Sequence, residues 1–127
     1  MFSSDLCYCG YELTLAIPKG DNRDRHICLN EECNTIHYQN PRVVAGVLPF
    51  YRQQILLCKR AIEPRRGFWT LPAGFLENGE TVLQGACREA YEEAGLTVSS
   101  AIPYRAYDLT HINQLYMMFL VELDEPK

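Results

Sequence analysis

A short helix with well-marked ends, near the middle of the chain, is the feature that most constrains the fold. Thr81 has a side chain that caps helix N-termini, and Gly95 stands where a left-handed glycine ends a helix. Between these two residues, apolar side chains recur at the spacing of one helical face. They are Val82, Leu83, Ala86, Ala90 and Ala94. One face of the predicted helix must therefore pack against the rest of the domain.

The same helix carries a concentration of negative charge. Glu89, Glu92 and Glu93 are accompanied by a single cation, Arg88, between the two helix ends. Glu89 and Glu93 form an i,i+4 pair of like charge, which costs roughly a few tenths of a kcal/mol in an isolated helix. Glu93 also falls at the edge of the apolar face, where a partly buried carboxylate without a partner costs more. A bound cation would remove both penalties.

A solvated acidic face is the alternative interpretation of these glutamates. The preceding segment LPAGFLENGE (71–80) argues against it, because its glycines let the backbone approach a ligand closely. Gly85, one turn before Glu89, is predicted to leave room for that ligand. Carboxylates at this spacing suit Mg²⁺, which prefers oxygen ligands and accepts phosphate oxygens at its remaining positions. The pattern therefore favours a magnesium site that binds a phosphate-bearing ligand.

The stretch from Gly74 to Leu96 resembles the Nudix box. That pattern is a glycine, five residues, a glutamate, seven residues, Arg-Glu, an apolar residue, any residue, Glu-Glu, any residue, a glycine and an apolar residue. The residues that meet its fixed positions are Gly74, Glu80, Arg88, Glu89, Ala90, Glu92, Glu93, Gly95 and Leu96. The resemblance implies hydrolysis of a nucleoside diphosphate linked to another group, with Mg²⁺ or Mn²⁺ as the cofactor.

The resemblance also implies roles for individual residues. The implied metal ligands are Gly74, Glu89, Glu92 and Glu93, and the implied catalytic residues are Arg88, Glu89 and Glu93. Arg88 would orient a glutamate through a charge-assisted hydrogen bond. Glu89 would serve either as a metal ligand or as the general base, and this choice stays open.

Four of the six cysteines lie before residue 41, where the composition changes. The segments CYCG (7–10) and CLNEEC (28–33) resemble a zinc ribbon joined to a Nudix domain. The resemblance implies a structural Zn²⁺ held by Cys7, Cys9, Cys28 and Cys33. The first pair is separated by one residue only, which is tight for a zinc knuckle. A ribbon that folds with free thiols, or one that uses His26 as a ligand, is the alternative.

The chain is predicted to contain two domains, a small zinc-ribbon-like β domain at 1–40 and a Nudix domain at 41–127. In the second domain, strand-like segments at 43–51 and 54–60 flank a polar turn, and a Pro- and Gly-rich loop follows at 61–74. Further strands are predicted at 102–109 and 114–123. Strands mixed with a helix around hairpins predict an α+β fold with a mixed sheet.

The family resemblance implies an α/β/α sandwich, but no second long helix follows the last predicted strand, QLYMMFLVEL (114–123). We expect the apolar side chains of this strand to form an exposed patch of the size that marks an interface. Either a C-terminal helix belongs to a longer form of the protein, or a homodimer covers this face.

Charge and hydropathy limit the partners of the protein. A net charge of −4 and a pI near 5.3 argue against a general nucleic-acid or membrane-surface binder, because both need a basic face. The N-terminus has no signal-peptide pattern, and no segment is long and apolar enough for a membrane span. We therefore expect a cytoplasmic protein whose partner is a nucleotide-like small molecule.

The substrate is predicted from a further resemblance, to ribbon-bearing Nudix pyrophosphatases that include plant chloroplast FAD/ADP-ribose hydrolases. It implies that FAD or ADP-ribose is cleaved to AMP plus FMN or ribose 5-phosphate. NADH pyrophosphatases carry a downstream motif that THINQLYMMF (110–119) lacks, so NADH is the alternative, as is a nucleotide sensor without hydrolysis. Arg60 and Arg65 are candidate phosphate contacts, and Trp69 is a candidate stacking residue, although surface or core roles are the default for these residue types.

Overall fold

The computed structural model of the protein describes residues 6–61 and 66–125, and the chain divides into two units, Met1–Asn40 and Pro41–Lys127. The N-terminal unit contains one antiparallel sheet with the strand order β1-β2-β3. Its strands are β1 (Leu13–Ala16), β2 (Arg25–Cys28) and β3 (Ile36–His37). The short strands leave most of this unit to turns.

The second unit is organised around a parallel pair of long strands, β4 (Arg42–Tyr51) and β10 (Gln114–Glu122). The sheet has the order β5-β4-β10-β9, and β8 also pairs with β4. Its antiparallel members are β5 (Gln54–Ile55), β8 (Ala73–Phe75) and β9 (Ile102–Leu109). A separate two-stranded ribbon consists of β6 (Cys58–Lys59) and β7 (Trp69–Thr70). The predicted α+β fold with a mixed sheet is confirmed.

The helix α1 spans Val82–Ala94 and covers one face of this sheet. Thr81 and Gln84 form a capping box, and Gly95 has φ = 66° at the C-cap, so both predicted ends are confirmed. The helix packs through small residues, which brings it close to the two central strands. The buried core between them contains Ala45, Val47, Ala86, Ala90, Leu96, Phe119 and Val121.

The segment predicted as one strand at 54–60 is divided into β5 and β6. β5 and β8 both pair with β4, and β8 occupies the edge of β4 beside Val44 to Gly46. β6 therefore cannot continue the pairing of β5 along β4, and it pairs with β7 instead. Gly46 permits this close approach, because a Cβ there would lie 2.6 Å from the Pro72 carbonyl oxygen. The segment predicted as a loop at 61–74 thus contributes strand residues to both pairings.

The prediction that the apolar side chains of β10 form an exposed patch is wrong. Met118 is 5% exposed and Phe119 is 7% exposed, and the remaining apolar residues of this strand are buried or half-buried. Exposed apolar side chains lie instead on the edge strand β9, where Ile102 and Tyr104 are examples. α1 is the only α-helix in the described residues, and no helix among them meets the length and hydropathy required of a membrane span. Dimerisation through this sheet stays a prediction.

Candidate catalytic and metal sites

The guanidinium group of Arg88 connects α1 to the loop that precedes it. Its Nε donates to Glu80 Oε2 at 2.7 Å, and its Nη1 donates to Glu89 Oε2 at 2.8 Å and to Glu92 Oε1 at 3.1 Å. Nη2 donates to the carbonyl oxygen of Phe75 at 3.2 Å. The three carboxylates raise the pKa of Arg88, with Glu80 contributing most. One cation therefore orients three carboxylates and one backbone carbonyl.

Glu80 takes part in this contact between the loop and the helix. Its Oε1 accepts the backbone N–H of Glu77 at 2.9 Å and a second hydrogen bond from Arg88 at 3.0 Å. The Arg88 hydrogen bonds and the Glu77 N–H lower the pKa of Glu80 to about 2. Glu80 is therefore ionised at neutral pH and holds the loop against the start of the helix.

Glu89 and Glu93 lie next to each other against β8. The Glu89 side chain is only 12% exposed, and a Cβ at Gly74 would collide with its carboxylate, so a glycine is required at this position. Glu93 is exposed overall, but its Oε1 accepts the Ala73 backbone N–H at 2.9 Å. Burial of this carboxylate and the neighbouring charge of Glu89 raise the pKa of Glu93. Two acidic groups thus share a site that a cation would stabilise.

Glu92 is placed apart from this pair. Its side chain is 50% exposed and its carboxylate faces Arg88. Among the described residues, the four cysteines form the only group of three or more possible ligand atoms that lie within 4.8 Å of one another. The structure therefore brings Glu89 and Glu93 together, and their assignment as metal ligands with Glu92 and Gly74 stays a prediction.

Gly85 does not leave room for a ligand, so that prediction is wrong. A Cβ at this position would lie 2.6 Å from Leu76 Cδ1 and 3.0 Å from Glu80 Oε1. The residue is buried where the loop packs on the helix. Gly85 is small because Leu76 occupies the adjacent space.

A cavity of about 660 Å³ opens beside Glu93. Its volume is within the range of small-molecule sites, which is about 300–1,000 Å³. Arg60 and Trp69, two of the predicted substrate contacts, both line it. Trp69 is 62% exposed, and Lys59 Nζ lies 5.8 Å from the centroid of its ring. Arg65, the third predicted contact, lies outside the described residues.

The far wall of this cavity consists of side chains that were not predicted from the sequence. Phe75 is paired with Val44, and Val44 is paired with Tyr116, so the three side chains lie on the face of the sheet opposite α1. Gln114 lies two residues before Tyr116 on the same face and also lines the cavity. Within the described part of the chain, neither the Gln114 amide nor the Tyr116 hydroxyl has a hydrogen-bond partner. Alternation along β10 is the sequence signal that places them on one face.

The four N-terminal cysteines converge on one point. Their Sγ atoms all lie within 4.8 Å of one another, with Cys7–Cys33 at 3.8 Å and Cys9–Cys28 at 3.5 Å. A tetrahedral zinc site with bonds of about 2.3 Å separates its sulfurs by about 3.8 Å, so these residues fit Zn²⁺. His26, the alternative ligand, is not part of the group.

Local turns bring the two cysteine pairs together. Gly10 N–H donates to the Cys7 carbonyl oxygen at 2.9 Å with Gly10 at φ = 94°, and Cys33 N–H donates to the Asn30 carbonyl oxygen at 2.9 Å. Thr35 Oγ1 lies 3.0 Å from Cys33 Sγ, and this contact, together with a backbone hydrogen bond from Thr35, lowers the pKa of Cys33 to about 6. A thiolate, the form that binds zinc, is therefore accessible at this cysteine at neutral pH.

Two known protein families together match nearly the whole chain. Residues 40–127 match the NUDIX domain, and residues 7–39 match the zinc-ribbon family described as Nudix N-terminal. A solved structure of a NUDIX hydrolase from Nitrosomonas europaea is 51% identical, with a TM-score of 0.80 over 96% of this chain and 69% of that chain.

Two curated relatives have names that describe an activity. The NAD-capped RNA hydrolase NudC of Vibrio cholerae is 35% identical over 73% of this chain and 34% of its own length. The ADP-ribose pyrophosphatase of Methanocaldococcus jannaschii is 42% identical over 46% of this chain and 35% of its own length. The chain thus spans about a third of the length of these relatives.

Proposed function

The chain belongs to the Nudix family, with a Nudix N-terminal zinc ribbon, and from this premise we propose that it is a metal-dependent pyrophosphatase. Its substrate is a nucleoside diphosphate linked to a second group. The observation that carries this proposal is the pairing of Glu89 and Glu93 at the edge of the cavity. A site that holds two carboxylates together beside a ligand-sized cavity suits a divalent cation and an anionic substrate.

The chain's own groups fix the carboxylates that would hold Mg²⁺ or Mn²⁺. Arg88 Nη1 donates to Glu89, and the Ala73 N–H donates to Glu93, so both side chains are oriented before the ion binds. When bound, the ion neutralises charge on the diphosphate. Arg60 lies near enough to Glu93 to affect its pKa and lines the cavity, where a guanidinium meets phosphate oxygens.

The far wall of the cavity supports a substrate that carries a planar heteroaromatic base. Phe75 is 47% exposed beside the cavity, and the Arg42 guanidinium carbon lies 5.4 Å from the centre of its ring. Gln114 offers an amide donor and acceptor, and Tyr116 offers a hydroxyl. An aromatic surface next to such groups recognises a planar base by stacking and by hydrogen bonds to its edge.

We infer that NADH and NAD⁺ are the first candidates, ADP-ribose the second and FAD the third. NAD-capped RNA hydrolases match over 73% of this chain, and an ADP-ribose pyrophosphatase matches over a shorter part. This order differs from the one predicted from sequence, which relied on the absence of the NADH-pyrophosphatase motif. Gln114 and Tyr116 offer polar groups for a base on the far wall of the cavity, and this contact does not need that motif.

A substrate panel tests this proposal. NADH, NAD⁺, ADP-ribose, FAD, an NAD-capped RNA oligonucleotide and ATP are incubated with the protein and Mg²⁺ or Mn²⁺, and products are separated by chromatography. We expect AMP and NMNH from NADH, with a higher kcat/KM than for FAD. Preferred hydrolysis of ATP would contradict the substrate class. Tight binding of a panel member without turnover of any would support a nucleotide sensor instead.

A further inference from the structure

In the first cysteine pair, Cys7 and Cys9 are separated by one residue, Tyr8. The two cysteines of a knuckle in a structural zinc site are commonly separated by at least two residues. The local backbone is held by two hydrogen bonds, from Cys7 N–H to the Tyr11 carbonyl oxygen at 2.7 Å and from Gly10 N–H to the Cys7 carbonyl oxygen at 2.9 Å. These bonds shape the turn but do not orient either thiol. A side-chain contact is therefore needed to hold Cys7 Sγ toward the other sulfurs.

His37 makes that contact. Its Nε2 lies 3.3 Å from Cys7 Sγ, and its ring centroid lies 5.1 Å from the ring centroid of Tyr8. β3 carries His37 and is paired with β2, which ends at Cys28. The strand that positions the imidazole is thus hydrogen-bonded to the strand that supplies a sulfur of the second pair.

The chemistry of a zinc-bound sulfur determines the direction of this hydrogen bond. A cysteine bound to zinc is a thiolate and has no proton to donate, so the Nε2 of His37 must carry the hydrogen. Four thiolates around one Zn²⁺ leave a net charge of −2, and a hydrogen bond to sulfur withdraws part of it. Thr35 contacts the Cys33 sulfur in the same way at 3.0 Å.

We propose that His37 is a positioning residue of the zinc site, which holds the short Cys7-Tyr8-Cys9 turn in ligand geometry by donating a hydrogen bond from Nε2 to Cys7 Sγ. This role depends on the zinc ribbon alone and does not require the proposed pyrophosphatase activity. Tyr8 is 94% exposed, so its ring contact adds little buried surface, and the hydrogen bond to sulfur is the dominant interaction.

The test measures metal binding in the full chain. Zn²⁺ affinity is determined by competition with a chromophoric chelator, and the Co²⁺-substituted protein is examined by absorption spectroscopy. His37→Phe keeps a ring beside Tyr8 and removes the donor, and we expect about a 10- to 100-fold loss of zinc affinity. We also expect a shift of the sulfur-to-cobalt charge-transfer band, because the Cys7 thiolate loses its hydrogen bond.

His26→Phe is the matched control, since His26 is directly paired with His37 across β2 and β3 but is not part of the cysteine group. It should change the affinity by less than about 3-fold and leave the cobalt band in place. His37→Gln, which restores an N–H donor, should recover affinity relative to His37→Phe. Equal affinities for the two Phe variants, or an unshifted band in His37→Phe, would overturn the proposal. If His37→Phe fails to fold, His37→Leu replaces it: a 10-fold or larger loss of zinc affinity relative to His26→Phe supports the proposal, and a smaller loss rejects it.

Discussion

Glu93 is exposed overall, but its carboxylate has two properties that a fully solvated carboxylate lacks. This carboxylate accepts a hydrogen bond from the Ala73 backbone N–H. Partial burial and the negative charge of the neighbouring Glu89 raise the pKa of Glu93. The sequence predicted this proximity because an i,i+4 spacing on a helix brings two side chains together. The bond to Ala73 was not predictable, because it depends on β8 crossing the end of the helix.

Glu93→Gln tests the role assigned to this carboxylate. It keeps the side-chain size and removes the charge, so we expect turnover to fall by about 100-fold or more, the scale of losing an electrostatic contact to the reacting groups. Steady-state kinetics at saturating Mg²⁺ measures this effect. Glu77→Gln is the control, since Glu77 is an exposed glutamate of the preceding loop, and it should retain the wild-type rate. Near-wild-type turnover in Glu93→Gln would remove Glu93 from the catalytic site.

Gln114→Ala tests the proposed contact to a base. Loss of one hydrogen bond, worth about 1–1.5 kcal/mol, should lower kcat/KM for NADH by roughly 10-fold. Gln53→Ala, at the exposed turn between β4 and β5, is the matched control and should have no effect. Identical kcat/KM values for the two variants would show that Gln114 does not contact the substrate. Sequence alone did not identify this residue, because a glutamine at the start of a strand is an ordinary surface residue until the cavity beside it is known.

At the scale of elements, the ends of α1 and the bounds of β9 follow from local signals. Thr81 and Gly95 satisfy backbone groups at the helix ends whatever the tertiary structure, which is why they are visible in the sequence. The division of the segment 54–60 into two strands was not predictable. It arises because β8 occupies the edge of β4, and this competition between distant segments has no signature in either of them.

The Glu80–Arg88 contact predicts how the attachment of α1 depends on pH. The pKa of Glu80 is about 2 in the folded chain, below its ordinary value of 4.5, so the contact stabilises the fold above pH 4.5. That stabilisation is lost as the pH falls from 4.5 toward 2. Glu80→Gln should therefore have a lower unfolding temperature at pH 6, and the difference from wild type should shrink toward pH 2. Thermal unfolding of metal-free protein measures it, and a difference that does not change with pH would contradict the ion-pair account.

At the scale of the whole molecule, the cysteines and the Nudix box belong to different units of the chain, and each was visible in the sequence as a spaced motif. Motifs specify which residues meet, so the cysteine group and the helix were predictable. The far wall of the cavity was not, because Phe75, Gln114 and Tyr116 come from two distant strands and none of them stands at a fixed position of a motif.

The zinc site predicts the metal content of the purified chain. About one zinc per chain should copurify, and replacing both Cys28 and Cys33 by Ser should abolish it, because two sulfurs are too few for a structural site. Elemental analysis measures the content. Cys58→Ser/Cys87→Ser is the control, since neither cysteine belongs to the group, and this variant should keep its zinc. Zinc-free wild-type protein that is nevertheless folded would show that the cysteines remain free thiols.

Isotope labelling shows whether water cleaves the diphosphate bond of the substrate. The protein is incubated with NADH and Mg²⁺ in water enriched in ¹⁸O, and the products are analysed by mass spectrometry. We expect AMP and NMNH, with one ¹⁸O atom in the phosphate of one of the two products, and product reduced by about 100-fold or more in Glu93→Gln. An absence of products under conditions where the chain is folded and binds NADH, or products without ¹⁸O, would contradict this expectation.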